Sequence, residues 1–212
     1  RTDALIIMNN MLPDREIADL VKGRVPVVFI GSGSNSYDTV GMDNFAGAYA
    51  AARHLLGQGR KDILIITGPE RNVDSIQRMQ GTRQAFEEAG RDFSRVWKRK
   101  GEFALDGGRE AMARFLEEAA SPPDAILALN DSMALGAMEE LARQGLRVPE
   151  DVAVTGFDDS EAAGHAGLST VHVPMKDIGY EAASLAFRRR GQDEFNPACI
   201  TLNTSLRLRE TA

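Results

Sequence analysis

Five short apolar runs, at residues 4–8, 25–30, 63–67, 125–129 and 152–157, alternate with stretches whose apolar residues recur at spacings of three and four. The runs read as buried parallel strands, and the stretches at 14–22, 44–56, 75–89, 107–119 and 132–144 read as helices. Strand and helix in strict alternation leave little choice of architecture. The chain is expected to be an α/β protein, with parallel sheets covered by helices on both faces and ligands bound beyond the carboxyl ends of the strands. At 212 residues there is room for one large unit or two small ones. Punctuation agrees with the periodicity: Gly90 and Gly145 follow helical stretches, Asp131 stands where a helix cap is needed, and Pro149 blocks continuation before the next strand. The segment 31–39 holds Gly, Ser, Asn and Asp without an apolar run and reads as a loop.

Composition narrows the function. Lys and Arg number 25 against 31 Asp and Glu, a net charge of −6, so the chain itself offers no basic surface for nucleic acid. Its one cysteine, Cys199, can form neither an intrachain disulfide nor a thiolate cluster, which fits a reducing compartment, with the cytosol as the expected location. No run reaches the roughly 20 apolar residues of a membrane span, and the first ten residues lack a signal-peptide pattern.

Several enzyme signatures fail on inspection. Gly31-Ser32-Gly33-Ser34-Asn35-Ser36 follows a strand, but the third glycine of a dinucleotide fingerprint is missing and no helix starts there. There is no Gly-Lys-Ser/Thr phosphate loop, and Ser169, His172 and Asp177 lack the Gly-x-Ser-x-Gly elbow of a hydrolase. His54, His165 and His172 have no metal-ligand spacing. No catalytic group, cofactor or metal is expected. The basic triplets Lys98-Arg99-Lys100 and Arg188-Arg189-Arg190 read as solvated surface.

Residues at strand ends carry the candidates. Asp158, with Asp159, follows the run 152–157 and can accept from ligand hydroxyls, although a solvated turn would look the same. Asn130 ends the run 125–129 and both donates and accepts, which suits a polyol. Arg78 offers a planar fork near the start of the helix after Gly68-Pro69, and Phe103 could serve as core or lie against a ring face.

The strand ends also form an ordered series: Val40-Gly41-Met42-Asp43-Asn44, Gly68-Pro69, Arg78-Met79-Gln80-Gly81, Asn130-Asp131-Ser132-Met133-Ala134-Leu135-Gly136, Val148-Pro149-Glu150-Asp151-Val152 and Gly156-Phe157-Asp158-Asp159. The series continues through Leu168-Ser169-Thr170-Val171 and the tail Leu202 to Arg209. It closely resembles the LacI/GalR family of bacterial transcriptional regulators over the whole chain. The resemblance implies a periplasmic-binding-protein-like effector module of two lobes joined by three crossovers near Gly41, Val173 and Phe195, with a small molecule held between the lobes. The N-terminal lobe would comprise 1–41 and 174–194, and the C-terminal lobe 42–173 and 195–212. It further implies ligand contacts from Arg78, Phe103, Asn130 and Asp158. Gly31 stands where many members carry a polar ligand residue, and Ser32 is its substitute. Family members usually dimerise through the helix after the Asn-Asp motif, so Leu135 and Met138 would face a partner while Met133, Ala134 and Leu141 face the core. The implied partners are a sugar or related metabolite, a second copy of the chain, and operator DNA through a helix-turn-helix head. The chain begins where the family's third strand would stand, so the residues are expected to be part of a longer protein, with the run 4–8 at a sheet edge. A transporter's periplasmic sugar-binding protein would share this fold.

Overall fold

A computed structural model describes residues 2–8, 14–21, 25–31, 36–191 and 196–212. In chain order the elements are β1 (Leu5–Met8), α1 (Asp14–Val21), β2 (Val27–Ile30), β3 (Asp38–Met42), α2 (Asn44–Gly57), β4 (Ile63–Thr67) and α3 (Val73–Glu88). A single 3-10 turn (Phe93–Arg95) leads into β5 (Trp97–Lys100), α4 (Leu105–Glu118), β6 (Ala125–Ala128), α5 (Asp131–Arg143), β7 (Ala153–Asp158) and α6 (Glu161–His165). The chain ends with β8 (Ser169–His172), α7 (Met175–Arg188), β9 (Cys199–Leu202) and β10 (Ser205–Arg207). This is the expected α/β class, with parallel sheets flanked by helices.

The chain divides into two compact units, Arg1–Asp43 with Pro174–Asn203, and Asn44–Val173 with Thr204–Ala212. The expected crossover near Phe195 lies outside the described residues. The third junction instead falls between Asn203 and Thr204, because β9 is the fourth strand of the first unit's sheet and pairs in parallel with β3 from Thr39 to Met42. The first junction falls after Asp43, close to Gly41, since β3 runs to Met42 before α2 begins.

In the first unit the order is β1-β2-β3-β9, all parallel, and among the described residues β1 is an edge strand. Ile17, Val27 and Phe29 form its core with Leu5, Ile7 and Tyr37 against them. The segment 31–39, expected to be a loop, gives its last two residues to β3. Asp38 opens that strand with a fully buried carboxylate, which accepts from Arg189 Nε at 2.8 Å and from the Ala198 amide at 2.7 Å. Arg189 is therefore structural and not solvated surface. A polar opening residue hides the strand from any hydrophobicity pattern.

The second unit holds the order β10-β8-β7-β6-β4-β5, parallel except for β10. The apolar part of its core includes Ile63, Leu64, Ile65, Ile66, Ile126 and Phe157, all at 2 % exposure or less. α2 packs with α3, and α4 with α5. Gly47 of α2 sits on Phe157, whereas Gly156 faces Asp131 at the start of α5. Consecutive strand residues point to opposite faces, so the two helix pairs cover opposite faces of the sheet. No helix is long and apolar enough to cross a membrane among the described residues.

Candidate functional site

Arg78 comes off α3 at a position 5 % exposed, and its guanidinium is held on several sides. Nε donates to Asn44 Oδ1 at 2.8 Å, Nη1 donates to the Leu129 carbonyl at 2.5 Å, and Nη2 lies 3.3 Å from Asp158 Oδ1. Its plane stacks on Phe157, with Cζ 3.7 Å from the ring centroid. A planar fork satisfies these partners together where an ammonium could not. Burial lowers the guanidinium's pKa, with Asp158 and Asp74 pulling it back.

Asn44 opens α2 almost without exposure and sends both amide protons to α3, to Asp74 Oδ1 at 2.9 Å and Gln77 Oε1 at 3.0 Å. The helices can approach this closely because Gly81 lacks a side chain: a Cβ there would stand 2.1 Å from the Phe45 carbonyl oxygen.

Asp158 ends β7 with its side chain 30 % exposed, so a solute can reach it. Burial pushes its carboxyl up to about 6, against the downward pull of Arg78. Its φ is +114° and that of Asp159 is +59°, and Glu102 and Phe103 stand at +54° and +59°. Non-glycine residues held with positive φ are costly, and they cluster at functional sites. Both strained turns belong to the same end of the sheet. The Phe103 ring is half-buried, 5.7 Å from Arg78 Cζ, and packs on Gly68, where a Cβ would come within 2.3 Å of it.

The structure thus gathers Arg78, Phe103, Asn130 and Asp158 at one strand-end face, and it corrects the roles of two neighbours. Asn130, and not Asp131, caps α5: its Oδ1 accepts from the Met133 amide at 3.0 Å, and its Nδ2 donates to the Phe103 carbonyl at 3.1 Å. Asp131 is 2 % exposed and ties β8 to the start of α6, accepting from Thr170 Oγ1 at 2.5 Å and the Ser160 amide at 2.7 Å. Burial raises its pKa despite these bonds. Asp159 is equally structural. Its side chain is 4 % exposed and takes His172 Nδ1 at 2.8 Å, Arg207 Nη1 at 2.7 Å and Arg209 Nη2 at 2.5 Å. Burial pushes its pKa up, yet the bonds from Arg209 and His172 prevail and hold it below the ordinary carboxylate value.

Asn44, Phe157 and Asp131 are the participants that sequence reasoning missed. A polar residue just past a strand end, at the first position of a helix, was the available signal for Asn44. Ser32 lies outside the described residues. Leu135 and Met138 are half-buried on α5 while Met133, Ala134 and Leu141 are fully buried, which gives the helix two apolar faces. With Leu105, Ala162 and Ala166 they line a shallow depression of about 610 Å³. No group of His, Cys, Asp and Glu able to hold a metal occurs among the described residues.

Residues 52–212 match the family described as periplasmic binding protein-like domain. The chain is 35% identical over 193 residues to the HTH-type transcriptional regulator CelR of Thermobifida fusca, covering 88% of this chain and 56% of CelR. It is 33% identical over 194 residues to the HTH-type transcriptional repressor PurR of Haemophilus influenzae, covering 89% of this chain and 57% of that one. The chain therefore spans little more than half the length of these relatives. Among solved structures it is similar to a complex of CelR with cellobiose, at a TM-score of 0.89 and 32% identity over 99% of this chain and 66% of that one. A LacI transcriptional regulator from a Rhodococcus species gives a TM-score of 0.89 at 27% identity, covering 100% of this chain and 78% of that one. Motif order, sheet topology and these likenesses agree, and the chain belongs to the periplasmic-binding-protein-like domain family of the LacI-type transcriptional regulators.

Proposed function

We propose that this chain is the effector-binding and dimerisation part of a cytoplasmic transcriptional regulator without enzymatic activity. It holds a small polar metabolite, a sugar, against the strand-end face of the second unit and couples its presence to operator DNA through a helix-turn-helix segment outside these residues. The observation that carries this reading is the buried Arg78 fork presenting a reachable Asp158 beside the Phe103 ring. A carboxylate that accepts from hydroxyls, next to an aromatic ring for the apolar face of a pyranose, is sugar-binding chemistry. Asn130 contributes an amide edge.

Cellobiose is the first probe, given the likeness to the CelR complex. In a thermal-shift screen of sugars, sugar phosphates and purines, a ligand at 100 times its Kd adds about 2.7 kcal/mol, or roughly 5–10 °C in a domain of this size. A specific hit supports the reading, and a folded protein that responds to none of these classes counts against it.

Asp158 adds a pH signature. A hydroxyl donating to its ionised form binds more tightly as pH rises through about 6 and levels off above. Stability runs the other way: a carboxyl whose folded value stands above its unfolded one adds stability as pH falls from about 6 towards 3.8. Asp158→Asn should flatten both curves, as titration calorimetry and urea melts across this range would show.

The proposed dimer rests on Leu135 and Met138. Leu135→Glu together with Met138→Glu should turn a dimer into a monomer in analytical ultracentrifugation without lowering the helical signal, because neither side chain belongs to the buried face of α5. A doubly substituted protein that stays dimeric would place the interface elsewhere.

A further inference from the structure

On the side of α3 turned away from Arg78 lies a cleft of about 560 Å³, within the size range of small-molecule sites. One wall is α3, with Ile76, Met79 and Arg83, and the other is the edge strand β5. Strand alternation sorts the basic triplet of β5 between two faces. Trp97 and Arg99 turn to α4, where Trp97 meets Phe115 at 5.4 Å between ring centroids and Arg99 pairs with Glu118. Lys98 and Lys100 are left on the cleft side. Phe93, 7 % exposed and packed edge-on to Phe86, closes one end.

Two cations share that closing ring. Lys98 Nζ lies 4.4 Å from the Phe93 centroid, and Arg83 Cζ lies 5.3 Å from it. Lys98 is fixed there by donating to the Phe93 carbonyl at 2.8 Å and the Val96 carbonyl at 3.1 Å. Most arginines and lysines of this acidic chain sit against a carboxylate, as Lys100 does against Glu70 at 2.7 Å and Arg109 against Glu139 at 2.6 Å. Among the described residues neither Arg83 nor Lys98 has a carboxylate within ion-pair distance. Burial first, and then the nearby charge of Arg83, lower the Lys98 pKa, and Asp92 offsets only part of this. An anion within reach of both would offset their charge and take charge-assisted hydrogen bonds from them. Beside them, Ile76 is 42 % exposed and Met79 is half-buried, and they provide an apolar bed whose methionine adapts to the shape laid on it.

We propose that this cleft binds a small amphipathic anion, a compact aromatic or apolar body bearing one carboxylate, sulfonate or phosphate, at a site distinct from the Asp158 face. Its apolar part rests on Ile76, Met79 and Phe93, and its charge lies between Arg83 and Lys98. Because α3 presents Arg78 on one side and this bed on the other, the two sites share a helix.

The test is a fluorescence titration of the full-length protein with anilinonaphthalene sulfonate, an aromatic anion of this class, beside the neutral phenylnaphthylamine. The sulfonate should bind saturably, one per chain, and the neutral dye about tenfold more weakly or worse. Arg83→Glu, at an exposed position, should weaken the sulfonate about tenfold while near-ultraviolet circular dichroism stays unchanged, and Lys98→Met should do the same by removing the second cation. Absent binding, equal binding of the neutral dye, or full affinity retained in both variants would overturn the proposal.

Discussion

Arg78→Ala is expected to lower stability by about 3–5 kcal/mol at neutral pH, read as a fall of roughly 10 °C in melting temperature. The size follows from what is left behind. Without the guanidinium the Leu129 carbonyl and Asn44 Oδ1 lose their donors, Asp158 loses its counter-charge, and Phe157 loses the plane stacked on it. A half-made buried network costs more than the net worth of its bonds, because the orphaned groups keep their desolvation penalty. Arg78→Lys should recover less than half of the loss, since a single ammonium cannot reach the carbonyl, the amide and the carboxylate together. Acid should soften the defect: the carboxyl of Asp158 stands at about 6 even against the downward pull of Arg78, so without that pull it is protonated at pH 5 and the uncompensated charge is gone. Urea melts at pH 5 and 7.5 would reveal that difference, and a shift below about 3 °C at either pH would mean that the site relaxes around the gap.

Gly136→Ala is expected to cost about 2–3 kcal/mol, although alanine is the better helix former by about 1 kcal/mol. A Cβ at Gly136 would lie 1.9 Å from the Leu105 carbonyl oxygen, and one at Gly108 would lie 2.1 Å from the Met133 carbonyl oxygen. Here α4 and α5 touch backbone to backbone, so a methyl group must push whole helices apart rather than turn a side chain. Gly164→Ala is the matched control. Nothing lies within 4 Å of its added Cβ and its φ is not positive, so it should be neutral or mildly stabilising in the same chemical melts. Equal losses in the two variants would show that propensity and not contact governs these helices.

What the sequence revealed and what it concealed divide by burial. β4 has the same bounds in sequence and structure, because Ile-Leu-Ile-Ile is buried on both faces and has no rival reading. β5 escaped notice since it is an edge strand with basic residues on both faces, and Trp-Lys-Arg-Lys has no apolar alternation to find. β3 and β9 were hidden by short length and by Asp38, whose partner Arg189 stands 151 residues away. Long-range ion pairs of this kind leave no local trace. At the site, Arg78, Phe103, Asn130 and Asp158 were legible because all stand close to strand ends, where α/β folds bind ligands. The capping role of Asn130 and the bracing role of Asp131 were not, since neighbouring Asn and Asp are equally good caps and only backbone geometry chooses between them.

Asp158 and Asp159 are adjacent in sequence and opposite in circumstance. One is partly open to solvent, and the other is enclosed by His172, Arg207 and Arg209. Two neighbouring positions therefore have unequal freedom to change. A change at Asp158 bears on the Arg78 guanidinium alone, whereas a change at Asp159 releases the ends of β8 and β10 together. The turn can thus vary one side chain at its open edge while the neighbour keeps the backbone in place.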